Sequence, residues 1–320
     1  MAGATMTVKK SCEKPVKNRI TIKEIKGQKQ LIFMSFPFLF YILLFNYVPA
    51  IGWVMAFQDY KPAKGLFNQT WVGFKHFNFL FSDSSFIRVL RNTLAMSFIN
   101  LILGFVSAII LALLLNEIKN VLFKRVVQTI SYLPHFLSWV IAAGIVANVL
   151  STEDGIINVM LMHLGLIDSP VLWLGKGEYF WGIVGVANVW KSVGWNTIIY
   201  LAAISSIDPA LYEAADMDGA NRYHKMWYIT LPGIKSTFVI LLIMSIGNIL
   251  NAGFEVQYLL GNGMVMDYSE TIDIFVLKYG ISQFNFSLAT AAGMFKTLTS
   301  VILIYSANLV AKKLGEEQLI

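Results

Sequence analysis

The chain has 320 residues, 56% of them hydrophobic and only 14% charged, with a mean hydropathy of +0.62. A soluble domain of this size carries about a quarter charged residues; here the charges cluster between apolar blocks long enough to cross a bilayer, so the sequence reads as an all-α polytopic membrane protein. A lone cysteine (Cys12), four histidines without HExxH spacing and no GxxxxGK[ST] loop exclude a disulfide framework, a Cys/His metal site and a nucleotide cradle, so energy for any pumping must come from a partner or an ion gradient.

Residues 1–30 carry eight Lys/Arg against Glu13 and Glu24, a net charge of +6. This reads as a basic cytoplasmic tail that fixes topology; no aromatic or groove-reading pattern accompanies it, which argues against nucleic-acid binding. The 27-residue apolar run that follows has no small-x-small cleavage site and reads as a retained anchor. About 20 apolar residues cross the hydrocarbon core. That measure predicts six transmembrane helices, at 31–57, 92–115, 126–150, 179–204, 235–260 and 286–311, within a single membrane domain spanning 31–311. The segments assigned inside hold 16 Lys/Arg and those assigned outside hold 7, which puts both termini, including the 312–320 tail, in the cytoplasm. The first outer loop contains Trp71, Phe74, Phe77, Phe79, Phe81 and Phe86, expected as an interfacial belt, with a docking surface for an extracellular partner as the alternative. Pro134, early in the third span and followed by His135, predicts a kink.

Residues 212–232, YEAADMDGANRYHKMWYITLP, lie between the fourth and fifth spans on the cytoplasmic side. Asp208-Pro209 reads as a helix start, with Leu211, Ala214 and Ala215 on one face and Glu213 and Asp216 projecting from another. Gly219 supplies the left-handed turn that ends the helix. A second run places Tyr223, Met226, Trp227, Thr230 and Leu231 at helical spacing, and Pro232 closes it. The prediction is a helix–turn–helix elbow over 208–232, either packing only on its own spans or docking a partner.

Charged side chains at mid-membrane cost about 2.5–3.5 kcal/mol on insertion scales, and three appear within spans: Lys191, Glu255 and Lys296. A rise of 1.5 Å per residue places Lys191 about 10 Å deeper than Glu255, which disfavours an ion pair between them. His135 has no acid partner within its span to make a proton relay. In the fifth span Ser245, Asn248, Asn251 and Glu255 follow helical spacing. The fourth offers Asn188, Trp190, Lys191, Trp195, Asn196 and Tyr200. Amides, a carboxylate and indole faces suit a sugar path; interhelical hydrogen bonding alone is the other reading. The two lysines would also suit an acidic sugar.

The string EAADMDGANRYHKMWYITLP resembles the EAA loop of ATP-binding-cassette (ABC) importer permeases. Glu213, Ala214 and Ala215 match its opening, Asp218, Gly219 and Ala220 its centre, and Ile229-Thr230-Leu231-Pro232 its I-x-LP ending. The layout is similar to carbohydrate importers of the MalF/MalG type over nearly the whole chain, and the C-terminal KKLGEEQLI resembles the LplB-like group associated with oligosaccharide and polysaccharide-fragment uptake. One departure is Ser236, where many relatives have a second proline. The resemblance implies a coupling helix seated in a cleft of an ATPase, with Glu213 facing basic groups and Gly219 permitting the turn. It implies a non-catalytic subunit in the bacterial cytoplasmic membrane that binds no cofactor of its own, ATP and Mg being used by a cytoplasmic ABC ATPase dimer. A second, homologous permease subunit, an extracellular solute-binding protein and membrane lipid are the other expected partners. The competing reading is a gradient-driven secondary transporter or channel using Lys191, Glu255 and Lys296; a membrane enzyme finds no nucleophile–base or metal constellation.

Overall fold

The computed structural model describes residues 27–315, so the bulk of the basic N-terminal tail, with Cys12, and the end of the C-terminal tail lie outside the described residues. Among the described residues, 27–52 form one compact unit and 53–315 another. In the first, α1 (Lys29–Ile42) runs into a π-turn at Leu43–Tyr47. Its surface is apolar on every side: Phe33, Phe36, Phe38 and Phe40 are all exposed, as a helix facing lipid requires.

The second unit begins with a two-residue antiparallel pair, β1 (Gln58–Asp59) with β2 (Thr70–Trp71), and a short helix α2 (Lys75–Ser82). Asp83 caps the next helix by accepting the Ser85 N–H at 3.0 Å. That helix, α3 (Ser84–Glu117), starts eight residues before the expected boundary of the second span. The aromatics of this region divide. Phe86 is fully buried against Phe275 and Phe295, and Phe77 packs on Phe57, whereas Trp71, Phe74, Phe79 and Phe81 are exposed. The region therefore holds a small core beside four exposed aromatics.

The third predicted span, 126–150, is not one helix. The helix α4 (Val121–Tyr132) passes into a tight turn at Leu133–Phe136, and α5 (Trp139–Val149) then departs at 106°. Pro134 has no N–H to continue the ladder; Leu137 and Ser138 turn extended, and the Ser138 hydroxyl caps α5. After α6 (Ile156–His163) comes α7 (Gly177–Ser205), which makes the most extensive helix contact in the molecule, with α3. The elbow follows as α8 (Pro209–Met217), α9 (Arg222–Lys225), a π-turn at Met226–Thr230 and α10 (Leu231–Gly233).

The fifth predicted span, 235–260, also breaks. The helix α11 (Lys235–Gly247) ends ten residues or more before the expected boundary, 248–254 is irregular, and α12 (Glu255–Leu260) is separate. The sequence carries the cause: Gly247, Asn248, Asn251 and Gly253, the last at φ +93°, are helix terminators set in an apolar run. The expected outer loop 261–285 is instead ordered into α13 (Met266–Ser269), α14 (Ile272–Leu277) and a π-turn at Lys278–Ser282. Buried Asn92 of α3 holds it, donating to the carbonyls of Asp267 at 2.9 Å and Glu270 at 3.1 Å. The last helix is α15 (Phe286–Lys313). Among the described residues, three helical runs are long and apolar enough to cross a membrane (Lys29–Phe57, α3 and α15), or up to six if each of three bent pairs makes one span.

Candidate functional site

The elbow is built from local bonds. Asp208 caps α8 by accepting the Ala210 N–H at 2.9 Å, and Gly219, at φ +74°, reverses the chain while Ala220 N–H closes on the Ala215 carbonyl at 2.9 Å. Asn221 then caps α9 by accepting the His224 N–H at 3.0 Å. Two further contacts tie the limbs together: Lys225 Nζ lies 2.8 Å from Asp216 Oδ1, and the Tyr212 hydroxyl is 2.9 Å from Thr230 Oγ1. Asp216 projects into solvent, its side chain 61% exposed, and is at the same time paired within the hairpin. Glu213 and Ala214 are exposed beside it, as are Asp218 and Gly219, and Glu213 has no partner among the described residues. Pro232 stands one residue before the end of the second limb. The helix continues to Gly233 and bends by 52° into α11, one residue short of Ser236 in its first turn. Ala215, Asp218, Gly219, Ala220, His224 and Lys225 border a groove of about 440 Å³ on the elbow.

The polar residues of the spans do not converge on one place. Asn196 of α7 and Asn248 and Asn251 of the broken segment meet Ser97 and Asn100 of α3, Tyr200 and Ser245 around a cavity of about 290 Å³. This approaches the roughly 300 Å³ at which small-molecule sites begin. Irregular backbone at membrane depth is tolerated where it is buried in protein or lines a wet cavity, and residues 248–251 do the latter. Asn188 stands just outside, donating to Asn100 Oδ1 at 3.2 Å and to the Val184 carbonyl at 3.0 Å, so its amide joins α7 to α3. Trp190 faces the opposite way, into an almost wholly apolar cavity of about 630 Å³. The helical stripe expected from Ser245 to Glu255 dissolves because the helix stops at Gly247; Glu255 is exposed at the start of α12.

The two half-buried span lysines have different surroundings. Lys296 Nζ lies 2.5 Å from Asp273 Oδ1 and 3.3 Å from Asn251 Oδ1, so the cavity wall is tied to α14. Lys191 Nζ donates to the His135 carbonyl at 2.9 Å and sits 5.3 Å from the Trp139 ring centre. Beside it the His135 ring stacks on Trp195, with centroids 4.6 Å apart. Gly194 lets α7 approach this closely, since a Cβ there would collide with the Ser131–Tyr132 backbone. No ion pair joins Lys191 to Glu255.

Residues 100–316 match the family described as binding-protein-dependent transport system inner membrane component. The chain belongs to that family. The permease is 46% identical over 305 residues to the polygalacturonan/rhamnogalacturonan transport system permease protein YteP of Bacillus subtilis, covering 95% of this chain and 94% of the relative. It is 41% identical over 295 residues to protein LplB of the same organism, covering 92% of each. It is also similar to a chain in the crystal structure of a bacterial alginate ABC transporter in complex with alginate pentasaccharide-bound periplasmic protein. There the TM-score is 0.86 at 38% identity, over 93% of this chain and 99% of that one. The fold is that of a mostly helical membrane permease of an ABC transporter, a transport subunit of the inner membrane. The gradient-driven reading is set aside with it: Lys191, Glu255 and Lys296 share no site.

Sequence reasoning missed Asn100 and Ser97, which sit in the apolar second span, and Asp273, taken as loop. The signal for Asn100 was present, since an amide inside an apolar helix needs a partner. For Asp273 nothing local distinguished it from a solvated acid.

Proposed function

We propose that this permease forms half of the translocation pathway for an oligosaccharide or polysaccharide fragment and receives the motion of a separate ATPase through its EAA elbow. The observation that carries the coupling role is a hairpin braced internally yet unengaged outwardly. Asp216–Lys225 and Tyr212–Thr230 stiffen it, while Glu213, Ala214, Asp218 and Gly219 remain exposed and Ala215 and Ala220 border its groove. A stiff element transmits displacement, and a floppy loop absorbs it. Leu231 and Pro232 lead that displacement into the 52° bend before α11, and so toward Asn248 and Asn251 at the cavity.

Asn196, Asn248 and Asn251, with Asn100, supply amide donors and acceptors for sugar hydroxyls, and polysaccharide-related names of the relatives support that solute class. The complete importer comprises a second homologous permease, a cytoplasmic ATPase dimer that uses ATP and Mg, and an extracellular solute-binding protein. Both termini and the elbow lie on the cytoplasmic side, six spans crossing the bilayer with 126–150 and 235–260 as broken ones. ATPase closure then rocks the spans between inward- and outward-open states around the cavity. Glu213→Ala and Gly219→Val, each in the assembled importer, are expected to lower oligosaccharide uptake and solute-stimulated ATP hydrolysis together; wild-type levels of both in both variants would overturn the coupling role.

A further inference from the structure

Four cations around the spans are neutralised by carboxylates. Lys225, Lys278 and Lys296 lie 2.8, 2.8 and 2.5 Å from carboxylates of Asp216, Glu270 and Asp273. Arg88 lies 3.2 Å from Asp267. Lys191, in the middle of α7, has no carboxylate partner among the described residues. An ammonium carries three donors; the His135 carbonyl takes one, and the Trp139 face supplies diffuse attraction. Neither cancels the charge. An unneutralised ammonium within a span faces a bundle interior or a wet cavity rather than lipid and marks a functional site by default.

Its surroundings specify what would complete it. The Leu133–Phe136 turn packs against α7, where the His135 ring covers one face of the Trp195 indole, which is still 45% exposed. One residue on, Asn196 turns into the polar cavity. A charged donor beside an exposed indole, on the helix that also sends Asn196 into the amide-lined cavity, matches a sugar ring that carries a carboxylate: the indole covers the C–H face and the ammonium binds the carboxylate.

We propose that Lys191, with Trp139, Trp195 and the His135 backbone, forms a subsite for the carboxylate of an acidic sugar residue, making the permease selective for uronate-type oligosaccharides. This deepens the saccharide-path reading and rests on it. If Lys191 only capped the carbonyl end of the Leu133–Phe136 turn, Lys191→Gln would keep the hydrogen bond and change little.

The test is equilibrium binding to the permease pair with its ATPase, in nanodiscs of neutral lipid and without the solute-binding protein. A uronate trisaccharide is compared with its carboxyl-reduced, neutral counterpart. Hydrogen bonds to charged groups imply a preference of about tenfold or more for the uronate in the wild type. Lys191→Arg is expected to keep most of that preference and Lys191→Gln to abolish it. A wild type that binds both equally, or a Lys191→Gln variant that still prefers the uronate, overturns the subsite. If Lys191→Gln fails to assemble, the wild-type preference and its decline with salt decide the matter alone. A wild type that binds neither sugar also overturns the subsite; uptake of a neutral oligosaccharide by the complete importer would then leave the saccharide path standing, and absence of any uptake would remove both.

Discussion

The side-chain hydrogen bonds that shape the elbow join residues no more than 18 positions apart, from Asp208–Ala210 to Tyr212–Thr230. Those around the polar cavity reach much further: Asn188 to Asn100 spans 88 positions, Lys296 to Asn251 spans 45, and Asn100 to the Ala252 carbonyl spans 152. The elbow therefore keeps its shape wherever it is carried, whereas the cavity exists only for one arrangement of α3, α7, α11 and α15. A transporter needs this division: one part must move as a solid body, and another must change shape when it does.

Four experiments sharpen or break that contrast. The largest effect is expected at the cavity wall. Lys296→Met strands Asp273, and because the pair is about one-fifth exposed its loss costs about 3 kcal/mol, the low end for buried pairs. A drop in melting temperature of the purified permease, absent in a Lys296→Met/Asp273→Leu double variant, checks this. Gly219→Val comes next. Forcing a side chain into the left-handed region costs roughly 1–2 kcal/mol, more for a β-branched residue than for Asn, which tolerates it. Gly219→Asn is therefore expected to retain most transport and Gly219→Val to lose it, with sugar binding at the cavity unchanged in both. Equal behaviour of the two would remove the turn from the account.

A double-mutant cycle between Asn100→Leu and Asn188→Leu follows, with a coupling of about 0.6 kcal/mol, the average for interhelical hydrogen bonds in a membrane. Thermal melts of the two single and one double variant measure it; strict additivity would mean the amides do not hold α3 to α7. The smallest effect is expected for Lys225→Met, which removes an ion pair whose acid is 61% exposed and so worth about 0.2–1 kcal/mol. Melting should barely shift, while transport falls modestly as the hairpin loosens.

The same contrast explains what was legible in the sequence. The elbow's caps and turn are written in Asp208, Pro209 and Gly219 themselves, because each acts on neighbours within one turn of chain. Even there the pairing of Asp216 with Lys225 is not legible locally, since it crosses the turn. Apolar runs announced the spans, but hydropathy does not register a helix that stops at Gly247 and resumes at Glu255. The cavity mates Asn100, Asn196 and Asn251 through the packing of distant helices, and no periodicity within one span can express that.

Cross-linking tests the central claim most directly. Cys12 is the only cysteine, so a Cys12→Ser chain carrying Glu213→Cys offers a single thiol on the elbow. In the assembled, transport-active importer this thiol is expected to cross-link to the ATPase subunit with a yield that changes when ATP binds. No cross-link to the ATPase in a complex that still imports sugar would contradict the account.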